Sequence, residues 1–137
     1  MSNSDADIRS AGLKVTAPRV RVLNFLENHS ERHLSAEDVY DGLRDLGEDI
    51  GLATVYRVLA QFEQAGLVIR HHFESGSAIF ELANTEHHDH MICLECNRVL
   101  EFHDPVIEAQ QEKVAKKYKF KIEGHSMYLY GKCSECA

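Results

Sequence analysis

Residues 87 to 96 read His87-His88-Asp89-His90-Met91-Ile92-Cys93-Leu94-Glu95-Cys96. Four side chains that ligate metals through nitrogen or oxygen run almost directly into a Cys-x-x-Cys pair. No other stretch constrains the chain as much. In an extended strand, side chains alternate between faces, so His88 and His90 point one way and His87 and Asp89 the other. One strand then offers part of two different nitrogen/oxygen sites, and its end offers half of a sulfur site. The remaining two cysteines form a second pair, Cys133-Ser134-Glu135-Cys136.

Two Cys-x-x-Cys pairs suit a structural zinc, because each pair chelates through a tight turn and four thiolates complete a tetrahedron. Closing the loop from Cys96 to Cys133 ties the end of the chain to the strand before it. A redox dithiol or unligated thiols are the other readings. A polar N-terminus without a signal-peptide core, and the lack of any apolar run near the ~20 residues of a membrane span, predict a cytoplasmic protein. A reducing compartment favours zinc over disulfides. Imidazole and carboxylate together suit divalent iron, manganese, cobalt, nickel or zinc. One strand cannot complete either site; candidate partners for His88 and His90 are Glu81 and His33, and for His87 and Asp89, Glu108 and His125. Taken alone, His33 and His125 read as ordinary surface histidines.

The first half carries three helical patterns. Thr16-Ala17-Pro18 opens one, with Val22, Leu23 and Leu26 on one face. Ser35-Ala36-Glu37-Asp38 opens the next, whose apolar stripe is Ala36, Val39, Tyr40, Leu43 and Leu46, ending at Gly47. The third runs from Leu52 to Ala65, stops at Gly66, and buries Leu52, Val55, Leu59 and Phe62. The period then changes to two. Residues 67–73 and 78–82 read as strands joined by a turn at 74–77. Three short helices followed by a hairpin form the winged helix-turn-helix layout. Residues 83–86 are a polar hinge, dividing a DNA-binding domain at 1–83 from a metal-binding domain at 84–137. Strands are expected near 88–93 and 99–102, a helix from about Pro105 to Tyr118, and strands near 120–122 and 126–130. The fold class is α+β: a winged helix-turn-helix plus an α/β domain.

Opposite the buried stripe of the third helix lie Thr54, Arg57 and Gln61, with Tyr56 beside them. Arginine pairs with guanine edges and aromatic groups meet thymine methyls. A solvated polar face is the plainer reading. Lys14, Arg19 and Arg70 are placed to reach phosphates or a minor groove. Charge opposes nucleic acid, since the net charge is −7 and residues 1–83 hold 8 Lys/Arg against 13 Asp/Glu. Bound divalent cations would offset those carboxylates, so any DNA affinity should be local and conditional on metal. A metalloenzyme would need a nucleophile or general base apart from the ligands, and no such motif is present; the chain reads as no enzyme.

Three stretches resemble the ferric uptake regulator (Fur) family: Ala11-Gly12-Leu13-Lys14-Val15-Thr16-Ala17-Pro18-Arg19, Gly51-Leu52-Ala53-Thr54-Val55-Tyr56-Arg57-Val58-Leu59, and His87-His88-Asp89-His90 with Cys93 and Cys96. The resemblance implies a homodimeric winged-helix repressor with a C-terminal dimerisation domain, binding a pseudo-palindromic double-stranded operator. It implies a regulatory site of His33, Glu81, His88 and His90, a second site of His87, Asp89, Glu108 and His125, and a structural zinc on Cys93, Cys96, Cys133 and Cys136. It also implies that Tyr56 and Arg57 contact bases and Lys14 a minor groove; Thr54, by its place on the helix face, and Arg19, by its charge, join the expected DNA contacts. The match of Gly51–Leu59 and of Arg70-His71-His72-Phe73 to iron-responsive members points to Fe(II), for which Mn(II), Co(II) or Zn(II) substitute in vitro. Zinc, manganese and peroxide sensors share the scaffold; peroxide sensors usually carry Asp where this chain has Glu108. A thiol redox sensor is the remoter alternative.

Overall fold

Each of the longer helices starts and stops on local chemistry. The computed structural model describes residues 4–29, 33–74, 76, 78–83 and 87–137, and divides the chain into two compact units, Met1–Thr85 and Glu86–Ala137. In the first unit, α1 (Ser4–Ser10) precedes α2 (Ala17–Asn28), α3 (Ala36–Asp45) and α4 (Leu52–Gln64). Thr16 caps α2 through the Arg19 amide, with Pro18 in the first turn. Ser35 and Asp38 cap α3 reciprocally, so aspartate completes the box in place of the usual Glu or Gln. Gly47 and Gly66, at φ +84° and +81°, take the left-handed position past α3 and α4. The amides beyond them then donate back to Leu43 and Phe62.

Strands β1 (Val68–His72) and β2 (Ala78–Leu82) pair antiparallel, from Val68 opposite Leu82 to His72 opposite Ala78. Leu34 adds a single antiparallel bridge to Phe80 of β2. The core of this unit joins Ile8 of α1 to Val22, Leu26, Val39, Val55, Leu59, Phe62 and Phe80. It needs Gly42 inside α3, because a Cβ there would overlap the ring of Phe25. Gly42→Ala should therefore destabilise the protein by about 1–3 kcal/mol, despite alanine's better helix propensity. Chemical denaturation checks this; a stabilised variant would mean the ring moves freely.

In the second unit β3 (Asp89–Cys93) is central, antiparallel to β4 (Val99–Phe102) and parallel to β5 (Tyr128–Gly131), with α5 (Pro105–Lys117) between them in sequence. Few apolar side chains support this sheet. Among the described residues here, Ile92, Cys93, Ala115 and Cys133 are the buried hydrophobic ones. Met91, Leu100, Val106, Val114, Tyr118, Phe120 and Leu129 remain exposed. A unit this small, with so thin a core, needs a metal or a partner to hold it.

Several sequence expectations change. Helix α1 is an addition: its one core residue, Ile8, leaves no periodic signal. Leu46 caps α3 and is 70% exposed, outside the buried stripe. Leu52 is only half-buried, and Val58 takes its place in the stripe. Residues 120–122 form no strand. Lys119 adopts φ +55°, and the Lys119 and Phe120 amides donate to Lys116 and Ala115, so this segment finishes α5. Residues 84–86 of the expected hinge, and residues 75 and 77 of the expected turn, lie outside the described residues.

Candidate metal centres and nucleic-acid interface

Strand β3 delivers its donors as its alternation requires. His87 and Asp89 meet Glu108 from the first turn of α5 and His125 from the segment before β5. Asp89 is 1% exposed and neither of its carboxylate oxygens accepts a hydrogen bond. Nε2 of His87 and of His125 each lie 3.4 Å from Asp89 Oδ1. The same two nitrogens lie 3.6 and 3.3 Å from Glu108 Oε1 and 3.0 Å from each other. A tetrahedral ion bound at ~2.1 Å separates its donors by ~3.4 Å. Five of the six donor separations, 3.0 to 3.6 Å, thus stand close to that edge length. Buried carboxylate oxygens without donors are costly unless a cation offsets them, so these residues fit a divalent metal.

The cysteines come together as two knuckles. The Cys93 carbonyl accepts from Asn97, whose φ of +62° is a conformation asparagine tolerates. Beyond β5, the Cys133 carbonyl accepts from Cys136. All four sulfurs lie within 4.8 Å of one another, and Cys96 Sγ to Cys133 Sγ is 3.8 Å. Zinc–thiolate bonds of ~2.3 Å give a tetrahedral edge of ~3.8 Å. The Cys96 and Cys133 amides donate to Cys93 Sγ and lower its pKa to about 6, so this thiol is a thiolate at neutral pH. Hydrogen bonds from Cys136 to Cys133, Cys93 and Cys96 push the Cys136 thiol up to about 12. Thiols this close share protons that a metal would displace.

The remaining donors are divided between the units. In the first, His33 Nε2 lies 3.1 Å from Glu81 Oε2, and Glu81 Oε1 pairs with His71 Nε2 at 2.7 Å. In the second, the His88 and His90 rings are 4.8 Å apart, and His88 Nε2 lies 3.4 Å from Glu101 Oε1. Sequence reading missed His71 and Glu101. Register would have found both: Glu101 sits directly opposite His90, and His71 diagonally across the hairpin from Glu81 on the same face.

On α4, Tyr56 and Arg57 are exposed. The Tyr56 hydroxyl donates to the Glu37 carboxylate at 2.8 Å, which raises its pKa above the ordinary tyrosine range. Arg57 Nη2 donates to Thr54 Oγ1 at 3.2 Å. Lys14 is exposed before α2. Arg19 and Gln61 bond each other: Arg19 Nε and Nη2 donate to Gln61 Oε1 at 3.2 and 3.1 Å. Arg70, expected near phosphates, pairs with Glu63 at 3.2 Å and stacks over Phe80.

A sequence model of the ferric uptake regulator family matches residues 10–130. A ferric uptake regulation protein of Neisseria meningitidis is 53% identical over 134 residues, covering 98% of this chain and 93% of that one. The crystal structure of the Vibrio cholerae ferric uptake regulator superposes with a TM-score of 0.88 at 54% identity, covering 94% of this chain and 98% of that one. The structure of the Francisella tularensis ferric uptake regulator with iron gives 0.86 at 42%, covering 91% and 95%. With a match this long, in both sequence and fold, the chain belongs to the ferric uptake regulator family.

Proposed function

We propose that the chain is an Fe(II)-responsive repressor that binds operator DNA as a homodimer in the cytoplasm, acting as a regulator and not as an enzyme. The observation that carries this reading is the division of the donors. His33 and Glu81 belong to the unit that bears α4, whereas His88, His90 and Glu101 belong to the unit that bears the cysteines. Imidazole and carboxylate donors suit Fe(II), and the Francisella relative was solved with iron.

A divalent ion shared by the two donor sets would neutralise Glu81 and couple the α4 unit to the dimer. That coupling limits how far apart two α4 helices stand, and operator half-sites demand one spacing. The exposed apolar residues of α5 and β5 fit a second copy, because patches of this kind mark interfaces. The cysteines supply a closed structural zinc site, and His87, Asp89, Glu108 and His125 a second metal site within the same unit.

Arg57 and Tyr56 read bases in the major groove, and Lys14 enters the backbone or minor groove. Arg57→Ala should barely change stability, since an exposed arginine and alanine differ little in helix propensity. It should cost ~1–3 kcal/mol of discrimination per half-site. Lys14→Ala should weaken specific and scrambled duplexes alike and reduce the salt slope by about one. Titrating both variants on the two duplexes at several salt concentrations, with saturating Mn(II), checks this. An unchanged ratio of specific to scrambled affinity in Arg57→Ala would mean that α4 does not read sequence.

A further inference from the structure

Arg19 spends its donors inside the protein. Nε and Nη2 both reach Gln61 Oε1 on α4, and Nη1 donates to the backbone carbonyl of Lys14 at 2.7 Å. The guanidinium thus spans from the segment before α2 to the helix that carries Arg57. Each of its three nitrogens donates one bond within the protein, and the planar fork fixes the direction of each. The amide of the same residue donates to the Thr16 side-chain oxygen, which holds the segment from its other side.

We propose that Arg19 is a positioning residue for DNA recognition: it clamps Lys14 to α4 through Gln61, so that the groove-entering lysine and the base-reading arginine are presented at one fixed separation. The proposal rests on the reading of α4 and Lys14 as DNA contacts. Its physical basis is preorganisation: a segment already ordered loses less freedom on binding. A surface arginine beside a DNA-binding face would ordinarily be read as a phosphate contact. The two roles differ in measurable ways. A phosphate contact releases a counterion and appears in the salt slope. A clamp does not, and its loss can be reproduced from its other end.

The test uses the full-length chain with saturating Mn(II) and a duplex enriched in vitro for binding to the wild type. Arg19→Ala, Gln61→Ala and the double variant are compared. The clamp predicts that each single variant weakens binding by about three- to tenfold, in line with the loss of hydrogen bonds that order the interface. The logarithmic salt slope should stay unchanged, and the double variant should bind no worse than Arg19→Ala alone, as expected for two partners in one interaction. Amide exchange at residues 13–16 should speed up in both single variants without DNA, while Gln61→Glu, which keeps the acceptor, should leave it slow. If Arg19→Ala lowers the salt slope by about one while Gln61→Ala binds normally, Arg19 is a phosphate contact and the clamp is wrong. Exchange that stays slow in both variants also overturns it. A wild-type chain that binds no duplex would instead sink the DNA-binding reading, and exchange would still decide whether the clamp exists.

Discussion

Cys93→Ser is expected to purify without zinc, to fail to dimerise, and to lose the cooperative melting of residues 86–137. The serine hydroxyl does not replace a thiolate, and three sulfurs leave the tetrahedron open. The effect should be large because little else holds this unit. Its described buried hydrophobic residues are Ile92, Ala115 and two of the cysteines themselves. Structural zinc sites contribute ~10–16 kcal/mol of apparent binding free energy that is also folding free energy. A loss beyond about 5 kcal/mol is therefore the expected scale. Cys93 also has its pKa lowered to about 6 by the Cys96 and Cys133 amides. Zinc analysis and calorimetry decide the matter: a variant keeping one zinc per chain with an unchanged melting curve would remove Cys93 from the ligand set.

His90→Ala should give the opposite pattern, with fold, zinc content and dimer intact and the metal response of DNA binding gone. His90 is 2% exposed and stacks edge-on against Tyr128 and His88, so a modest stability loss accompanies the change. If binding-competent dimers rise from about 1% to 99% of the population when metal binds, apparent DNA affinity rises about a hundredfold. The variant should show little of that rise. An unchanged Fe(II) midpoint would move the switch to the site of His87, Asp89, Glu108 and His125.

Local signals explain what could be read in advance. Caps at Thr16 and Ser35, glycines at 47 and 66, and the alternation in residues 87–93 are short-range chemistry, and the corresponding elements form where they point. Alternation alone separated His87 and Asp89 from His88 and His90. The misses are non-local. Glu101 required the β3–β4 register, His71 the hairpin register, and the Arg19–Gln61 bond a contact between residues 42 positions apart. Residues 120–122 look like a strand by composition, but backbone bonds to Ala115 and Lys116 claim that segment for the end of α5.

Fe(II) is expected to gate DNA binding through the divided donor set. The most direct test is anaerobic titration of an operator duplex with wild type and His90→Ala, metal-free and across Fe(II), Mn(II), Co(II) and Zn(II). Wild type is expected to bind about a hundredfold tighter with Fe(II) at micromolar concentration, and the variant to show no such gain. Tight binding by metal-free protein, or a response to Zn(II) alone, would contradict this gating.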